Sequence, residues 1–344
     1  MTVTVRSFAK INLGLRIGPS RADGFHELLT IYQTIASHDV IEVSVSRGSG
    51  IVIRCNDPEV PCDESNTCFR IVQRALPSLR APGRVTVKIK KRLPVQGGLG
   101  GASANAVATL LGLERALKRP LPAAERLRIA ADVGSDLPLF LLGGTVLGLG
   151  RGEQVYPLPD FPAIACVVVT PEVGVSTPKA FAAWDALRGS RTSASPGMAM
   201  QPGSAIADRD AAKLTVAGAS DRMKMLARGL SAGLSEAYSG APSSGLKRRG
   251  RAENPLLWLV QAGIENDFEQ VVFPEYPELG EGKSALVRAG ATYASLSGSG
   301  STLYGLFESR QAAAKASVKL RKQGWAAQVT ATLSRVQYWR RIFV

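Results

Sequence analysis

Histidine and cysteine are scarce in this chain of 344 residues. It contains two histidines, His26 and His38, and four cysteines. Cys55, Cys62 and Cys68 are separated by six and five intervening residues, with no CxxC pair and no histidine beside them, which is not the spacing of a zinc site. Reduced thiols are therefore expected. Two histidines also leave little material for a histidine-rich metal centre or a Ser-His-Asp triad, and no protein metal ligand is predicted.

Long hydrophobic runs are missing as well. The longest apolar stretch, residues 137–150, is rich in glycine and too short to span a bilayer. Residues 1–17 alternate like a strand and have no apolar core followed by a cleavage site. These absences predict a cytoplasmic protein that does not contact membranes. With 45% hydrophobic and 20% charged residues, a chain of this length is typical of a globular protein with two domains.

The charge is strongly one-sided. Lys and Arg number 42 against 28 Asp and Glu, which gives a formal net charge of +14. Such a balance indicates an anionic partner, either a phosphorylated metabolite, a nucleotide or nucleic acid, although a basic surface without a partner gives the same count. The basic cluster at 247–251 lies in a segment, about 188–255, whose Gly, Ser and Pro content predicts a polar insertion. Solvated loop charges are the simpler interpretation of that cluster, so nucleic acid is not expected as a partner.

Hydrophobic periodicity predicts strands and helices in both halves of the chain. In the first half, strands are expected at Val3–Phe8, Asn12–Arg16, Val40–Ser46, Ile51–Arg54 and Val85–Lys90, and helices at Thr67–Leu76, Ser103–Leu117 and Pro122–Val133. In the second half, strands are expected at 163–171 and 325–334, a strand-turn-strand unit at 292–307, and helices at Asp221–Tyr238, 256–269 and Ser309–Gln323.

A glycine-rich loop lies between a predicted strand and a predicted helix. The segment PVQGGLGGASAN, residues 94–105, follows the alternating residues 84–93 and precedes the apolar helix face of residues 106–117. Glycines leave backbone N–H groups open and a helix N-terminus adds a positive dipole, so such a loop is suited to bind phosphate. Ser103 is expected to be the N-cap of the helix. A tight glycine turn without a ligand is the alternative interpretation.

Two common nucleotide motifs do not fit the sequence. The dinucleotide-binding fingerprint needs a third glycine where this loop has Ser103. Gly282, Lys283 and Ser284 look like the end of a P-loop, but Pro277 occupies the position of its first glycine, and the residues before it do not form a buried-strand pattern. The P-loop is therefore rejected.

Three further features could belong to the same site as the glycine loop. The segment SLSGSGSTLYG, residues 295–305, is a second glycine turn between predicted strands. Asp136 precedes a proline and an apolar run, which suits either a general base or a helix cap. Lys10 interrupts the first strand and could bind a phosphate or hydroxyl group. Each of these features alone is more often structural than functional.

Taken together, these segments resemble the GHMP kinases. PVQGGLGGASAN is similar to the signature loop of that family and SLSGSGST to its C-terminal glycine motif. Residues 7–28 and 134–144 are similar to the members that phosphorylate a cytidylyl-methylerythritol in the non-mevalonate route to isoprenoid precursors. The resemblance implies an α+β fold of two domains, a ribosomal-protein-like N-terminal domain at 1–158 and a ferredoxin-like C-terminal domain at 159–344. It also implies a kinase that uses ATP and Mg²⁺, acts on a small molecule, and is a monomer or a homodimer.

The resemblance assigns roles to particular residues. Asp136 would accept the proton of the substrate hydroxyl, Lys10 would orient that hydroxyl and offset negative charge, and Asn12 would hydrogen-bond the substrate. Asn66 and Lys91 would flank the adenine. The ATP phosphates, bridged by Mg²⁺, would lie against the loop residues Pro94, Gly97, Gly98, Leu99, Gly100, Gly101, Ala102 and Ser103.

The cytosine of the substrate would be bound by Phe25, His26 and Phe181. By the same resemblance, His26 would pair with the edge of the base, and the phenylalanine rings would stack on its faces. The loop departs from the family pattern at Gln96 and Ala102, where glycine is common, and at Ala104, where serine is common.

Two rival functions stay open at this stage. Another GHMP kinase, acting on homoserine or mevalonate, would not need Phe25, His26 and Phe181, because those alcohols have no base to stack. A non-catalytic anion or RNA binder would not need Lys10 and Asp136 together. The C-terminal YWRRIFV, residues 338–344, fits either an interface or simple docking of the terminus.

Overall fold

The computed structural model describes residues 2–80, 83–160, 162–192 and 265–344, with side chains described up to 188 in the third range. These residues form ten strands and nine helices. The strands are β1 (Thr2–Ser20), β2 (His26–Ser46), β3 (Ile51–Cys55), β4 (Arg84–Lys90), β5 (Thr145–Leu149), β6 (Gln154–Pro157), β7 (Ala165–Val169), β8 (Tyr293–Leu296), β9 (Leu303–Phe307) and β10 (Ala327–Ala331). The helices are α1 (Thr67–Leu79), α2 (Gly101–Leu117), α3 (Ala123–Val133), α4 (Leu137–Leu142), α5 (Thr177–Thr192), α6 (Glu269–Glu275), α7 (Pro277–Arg288), α8 (Arg310–Lys322) and α9 (Arg335–Arg341).

Two long antiparallel strands are the centre of the N-terminal domain. β1 and β2 pair along nearly their whole length, up to a turn flanked by Ser20 and His26. On its other side β2 pairs with β4 through residues 40–46 and with β5 through residues 30–33. The resulting sheet has six strands in the order β3-β4-β2-β5-β6, with β1 beside β2.

Helix α2 packs directly on this sheet. Val85, Val87 and Ile89 alternate toward the buried face of β4, as the sequence pattern predicts. At Gly112 of α2 an added Cβ would lie 2.8 Å from the side chain of Val43, so only glycine allows the helix to come this close to β2. The α2 residues from Ala104 to Glu114 are buried, which explains why both faces of this helix are apolar or small.

The C-terminal domain contains a four-stranded antiparallel sheet in the order β10-β7-β9-β8. Helix α7 packs on β9 at Gly282, where an added Cβ would lie 2.6 Å from Leu303 and 3.1 Å from Trp325. Gly282, Lys283 and Ser284 are therefore part of a packed helix, and the rejection of a P-loop is confirmed.

A third cluster of buried apolar side chains joins the two sheets. It brings Ile11 and Ile31 of β1 and β2 against Cys166, Val168 and Tyr304 of the second sheet. The Tyr304 hydroxyl also donates a hydrogen bond of 2.7 Å to the Asn12 carbonyl. The two-domain α+β architecture predicted from the sequence is thus confirmed, with β1 in contact with both domains. We propose that the boundary expected at 158–159 applies, because β6 ends in the first sheet and β7 begins in the second.

Most of the predicted elements are confirmed, with revised lengths. The two strands expected at Val3–Phe8 and Asn12–Arg16 are one strand, because pairing with β2 continues past Lys10 and Asn12 through two register shifts. The helix predicted at 256–269 is wrong at its C-terminal end, because residues 265–267 pair with β1 instead. Residues 256–264, and the helix predicted at Asp221–Tyr238, lie outside the described residues. Sequence periodicity did not predict α4, β5, β6, α5, α6, α7 and α9.

The C-terminal residues dock onto the N-terminal domain. The Tyr338 hydroxyl donates to the Phe140 carbonyl at 2.7 Å, and the Arg6 amide donates to the Ile342 carbonyl at 2.7 Å. An added Cβ at Gly143 would lie 2.4 Å from the Tyr338 ring, so this contact is close. Docking is therefore the explanation of the YWRRIFV segment. None of the helices in the described ranges has the length and apolar composition needed to cross a membrane.

A buried ion pair fixes residues 265–267 to the end of β1. Arg16 donates to Asp267 Oδ1 at 2.9 Å, and the Ile17 amide donates to Asp267 Oδ2 at 2.9 Å. Asp267 is 1% exposed. Arg16 also donates to Glu265 Oε2 at 2.9 Å, but that carboxylate is largely exposed. Removal of Asp267 therefore leaves the guanidinium without its buried counter-charge.

We expect Asp267→Ala to lower the free energy of unfolding by about 3 kcal/mol, measured by urea denaturation. The control is Asp23→Ala, which removes one of the two carboxylate partners of Arg21 at an exposed position and should change stability very little. Equal losses in the two variants would contradict the role given to the buried pair.

Candidate active site

Lys10 is a buried ammonium group at the contact of three elements. It follows a register shift in the pairing of β1 with β2 and is 3% exposed. Its Nζ donates to Asn12 Oδ1 at 2.7 Å and to the Gly98 carbonyl at 2.9 Å, and it lies 3.6 Å from Asp136 Oδ2. Burial lowers the pKa of Lys10, and the neighbouring Asp136 carboxylate acts in the opposite direction. The structure therefore brings together Lys10, Asn12, Asp136 and the glycine loop, as the resemblance implies.

Asp136 presents a partly open carboxylate beside Lys10. It stands at the N-cap position of α4, but its side chain caps no helix amide, so the helix-cap interpretation does not explain it. Oδ1 accepts a hydrogen bond of 3.0 Å from the Tyr32 hydroxyl, and the side chain is 35% exposed. Burial, and next the charge of Asp136, raise the pKa of Tyr32, so the phenol remains a donor. Sequence reasoning missed Tyr32, because nothing local to β2 indicates that its hydroxyl meets Asp136.

The helix after the glycine loop begins earlier than predicted. α2 starts at Gly101, and Gly100 is its N-cap in the left-handed region, with φ of 67°. The expectation that Ser103 caps the helix is wrong, because a glycine with positive φ takes that position without any side-chain bond. The first helical hydrogen bond runs from the Ala104 amide to the Gly100 carbonyl. The amides of Gly101, Ala102 and Ser103 therefore precede the helical ladder, which is the arrangement that receives an anion.

Three of the loop glycines are required by protein contacts. A Cβ at Gly98, where φ is +70°, would lie 2.0 Å from the Ser297 carbonyl oxygen. At Gly100 it would meet Phe140 and Lys10 at 3.0 and 3.1 Å. At Gly97 it would lie 2.7 Å from Pro94 and from Thr302, whereas the nearest group to a Cβ at Gly101 is 3.5 Å away. Packing thus explains why glycine is needed at Gly97, Gly98 and Gly100. It does not explain the glycine at Gly101, where a side chain would fit.

The second glycine turn, residues 297–301, interlocks with the first. Ser297 Oγ donates to the Gly98 carbonyl at 2.9 Å, and the Thr302 amide donates to the Gly97 carbonyl at 3.2 Å. Asn266 Nδ2 holds the turn by donating to the Leu296 and Gly298 carbonyls at 2.9 and 2.7 Å. Among the described residues the buried Thr302 hydroxyl has no hydrogen-bond partner. Both glycine segments therefore form one structure, and Asn266, which the sequence did not single out, positions it.

Asn66 and Lys91, expected near adenine, are held by protein contacts. Asn66 caps α1, its Oδ1 accepting from the Cys68 amide at 2.8 Å. Lys91 Nζ donates to the buried Asp39 Oδ2 at 2.9 Å and to the Leu93 carbonyl at 2.6 Å. Elsewhere in this region, the Thr67 hydroxyl donates to the Ala102 carbonyl, and the Leu99 carbonyl accepts from the Lys10 amide.

Asp39 organises the chain before the glycine loop and was missed by sequence reasoning. It is fully buried. Oδ1 accepts from the Arg92 and Leu93 amides at 2.7 and 2.8 Å, and Oδ2 also accepts from Asn105 Nδ2 at 3.0 Å. Because these donors lie on both sides of the loop, Asp39 fixes where the loop leaves β4 and where α2 begins.

The residues expected to bind cytosine are only partly together. His26 stacks on Phe181 with ring centroids 4.9 Å apart and planes 12° apart, and its Nε2 lies 2.7 Å from Asp185 Oδ1. Phe25 is 49% exposed, and the guanidinium of Arg151 lies 4.9 Å from its ring. His26 and Phe181 thus form an aromatic pair, while Phe25 lies on the adjoining turn with no described ring contact to either.

Comparison with known proteins identifies the family of this chain. The family model described as GHMP kinases N terminal domain matches residues 66–144, and that described as GHMP kinases C terminal matches residues 254–325. A relative from Solibacter usitatus (strain Ellin6076), named 4-diphosphocytidyl-2-C-methyl-D-erythritol kinase, is 36% identical and covers 98% of this chain and 92% of its own. The chain belongs to the GHMP kinase family. A relative from Acaryochloris marina (strain MBIC 11017) with the same name is 32% identical over 90% of this chain and 88% of its own.

Solved structures show the same fold as this GHMP kinase. A 4-(cytidine 5'-diphospho)-2C-methyl-D-erythritol kinase superimposes with a TM-score of 0.66 at 26% identity, covering 96% of this chain and 98% of its own. A homoserine kinase from Cytophaga hutchinsonii reaches the same TM-score at 19% identity, covering 97% and 95%, and shows the fold alone. Membership in a kinase family implies the use of ATP, which fits the open amides at the start of α2.

The two kinds of glycine in this kinase can be separated by substitution. Gly98→Ala should lower the free energy of unfolding by about 2 kcal/mol or more, because positive φ and the Ser297 carbonyl both oppose a side chain. Gly101→Ala is the matched control and should leave stability unchanged or raise it by up to about 1 kcal/mol. If phosphate needs the bare backbone at Gly101, that variant will instead show a higher KM for ATP. If urea denaturation showed that Gly98→Ala and Gly101→Ala are equally destabilised, the distinction between the two glycines would be contradicted.

Proposed function

We propose that this protein transfers the γ-phosphoryl group of ATP to the 2-hydroxyl of 4-diphosphocytidyl-2-C-methyl-D-erythritol, giving ADP and the 2-phosphate. The observation that carries the proposal is the placement of two sites on one strand pair. Lys10 and Asp136 lie at the glycine loop, and His26 with Phe181 lies toward the β1–β2 turn. The names of the relatives support the same reaction.

In the proposed reaction Asp136 accepts the proton of the attacking hydroxyl. Its Oδ2, 3.6 Å from the Lys10 ammonium, would receive that proton, while Tyr32 holds Oδ1 by a hydrogen bond. Lys10 remains close to both the carboxylate and the loop, so its ammonium orients the hydroxyl and offsets charge on the transferred group. Positioning and electrostatics of this kind carry most of the catalysis in phosphoryl transfer.

The start of α2 is the proposed phosphate site. The amides of Gly101, Ala102 and Ser103 offer donors, and the helix dipole favours negative charge there. Of the two residues that depart from the family pattern, Gln96 takes a positive φ of 54° as a glycine would, and Ala102 lies in the first turn of α2. ATP binding therefore fits the loop as it stands.

Mg²⁺ fits the proposal as an ion carried chiefly by the ATP phosphates. Mg²⁺ prefers oxygen ligands and commonly takes one or two protein oxygens in addition to phosphate and water. No three His, Cys, Asp or Glu side chains of the described ranges cluster as an all-protein site. The Asp136 carboxylate and the Ser103 hydroxyl are the oxygen donors beside the loop that could hold it. When bound, the ion would neutralise phosphate charge.

The proposed cytosine site is the aromatic pair of His26 and Phe181. Phe181 also has an edge contact to Phe268, at 5.0 Å between centroids, which keeps its ring in place. The imidazole, held by Asp185, offers a polar edge for the base, and Phe25 on the adjoining turn offers a second ring face. Homoserine and mevalonate have no base, so a kinase for either would gain nothing from this pair.

The reaction is tested by ADP release from Mg²⁺-ATP with three alcohols offered in parallel. We expect turnover with the cytidylyl-methylerythritol and none with homoserine or mevalonate. If only homoserine or only mevalonate were phosphorylated, that alcohol would be the substrate and the cytidylyl-methylerythritol would be rejected. RNA binding that weakens steeply with salt, without any ADP release, would instead support a non-catalytic RNA-binding protein.

Asp136→Asn should reduce kcat by roughly two to four orders of magnitude, because the amide cannot accept the proton. Binding of ATP, followed by calorimetry, should be unchanged. The companion variant is Tyr32→Phe, which keeps the carboxylate and removes only its hydrogen bond; its kcat should fall less, by about tenfold. Near-normal turnover in Asp136→Asn would remove Asp136 from the role of base.

His26→Ala should raise KM for the cytidylyl substrate by about tenfold or more, with little effect on KM for ATP. The natural control is His38→Ala, since the chain has one other histidine and it lies outside the aromatic pair. A similar rise in both KM values of His26→Ala would indicate general destabilisation and contradict the cytosine site.

A further inference from the structure

A second cleft lies between the two sheets, outside both glycine segments but next to the residues that lead into the first of them. The cleft has a volume of about 770 Å³. It is lined by residues 36–38 of β2, by residues 92–93, and by parts of β7, β9 and β10. The lining residues of β7 and β9 lie at the strand ends that are remote from the turn at 297–301. β9 leaves that turn at Leu303 and reaches the cleft at Phe307. No residue of the glycine loop lines the cleft, so it is separate from the candidate active site.

The charged lining of this cleft is mostly basic. Arg92, Arg310 and Arg341 line it together with His38, and Glu308 is the acidic side chain among them. Within the described residues, no carboxylate forms a salt bridge of 4.0 Å or less with any of these three guanidinium groups. The guanidinium groups come from separate parts of the chain, and the fold brings them to one cleft without described acidic partners.

His38 lies where several arginine side chains produce a positive potential. Its Nδ1 lies 2.8 Å from the Ala36 carbonyl, so this nitrogen carries the proton and donates. Burial lowers the pKa of His38 despite that hydrogen bond, and the guanidinium groups of Arg92, Arg6 and Arg341 lower it further. Three cations acting on one imidazole make the cleft a place where an anion is stabilised.

The walls provide hydroxyl groups and an apolar surface as well as charge. Ser37, Thr330 and Ser309 line the cleft, and Ser309 is the N-cap of the thirteen-residue helix α8, whose positive dipole end is therefore at the cleft. The buried side chains of Leu93 and Phe307 also line the cleft and give it an apolar part. A ligand matching both features has an anionic head and an apolar portion.

We propose that this cleft binds a small organic phosphate, with its phosphate against Arg92, Arg310 and Arg341 and its apolar portion against Leu93 and Phe307. Phosphate suits several guanidinium groups because each offers two parallel N–H donors. The volume is that of a small-molecule site. Binding links the domains, because Arg92 follows β4 of the first sheet and Arg310 follows β9 of the second.

The probe is n-hexyl phosphate, titrated by calorimetry into the full chain saturated with ADP so that the nucleotide site is occupied. Inorganic phosphate and n-hexanol are the reference compounds. We expect n-hexyl phosphate to bind at least about tenfold more tightly than inorganic phosphate. No heat of binding at millimolar probe, or equal affinity for hexanol, would overturn the proposal.

Substitution of the cleft arginines has a matched control on the same two helices. Arg310→Gln with Arg341→Gln should weaken n-hexyl phosphate binding by about tenfold or more, with basal ADP release unchanged. Arg321→Gln with Arg340→Gln removes the same charge from α8 and α9 outside the cleft and should leave binding intact. If both double variants bound n-hexyl phosphate equally weakly, the ligand would be attracted by net charge alone and the proposed site would be wrong.

A measurement on the unmodified chain keeps the proposal testable if the variants fold poorly. The chain has two histidines, so its imidazole NMR signals are assigned with His38→Ala. An anion in the cleft should raise the pKa of His38, whereas the signal of His26 should not move. A shift of His26 alone, or of neither histidine, would contradict binding at the cleft.

Discussion

The buried ammonium of Lys10 is the group on which the candidate site depends. A cation removed from water is strongly destabilising unless oxygen atoms surround it. Here the oxygens come from Asn12 on the same strand, from Gly98 in the glycine loop and from Asp136 at the start of α4. Three segments of the chain must therefore be correctly placed for Lys10 to be buried, so the contacts that stabilise the domain here are also the contacts that form the site.

The loop glycines are required for this assembly, independently of the nucleotide proposed to bind there. The Gly98 carbonyl accepts from both Lys10 and Ser297, and it can do so only because nothing larger than hydrogen fits at that α-carbon. The two glycine segments, far apart in the chain, thereby become one structure, which Asn266 supports by donating to the Leu296 and Gly298 carbonyls. A preorganised arrangement of amides avoids reorganisation when charge arrives, which is the property that phosphoryl transfer needs.

The sequence predicted the elements whose pattern is local and failed where partners are distant. Alternation identified β3 and β4, and apolar spacing identified α1 to α3, because those signals depend on one buried face. Serine preference placed the cap of α2 at Ser103, but packing at Gly100 decided the helix start. Lys10 and Asp136 were assigned through the family resemblance, since no spacing rule joins them. Asp39 and Tyr32 could not be found, because what makes each important is a contact formed only in the fold.

Asp39 connects the two sites physically. It is fully buried, and four donors satisfy its carboxylate, including the amide of Arg92, which lines the second cleft, and the ammonium of Lys91, which lies beside the glycine loop. Moving any one of these donors away would cost a buried hydrogen bond to a charged group. An anion bound at Arg92 would therefore affect the loop by restraining its fluctuations rather than by switching it to another conformation. For the same reason, the effect of such a ligand would be seen first in stability and in nucleotide affinity, both of which depend on how firmly the loop is held.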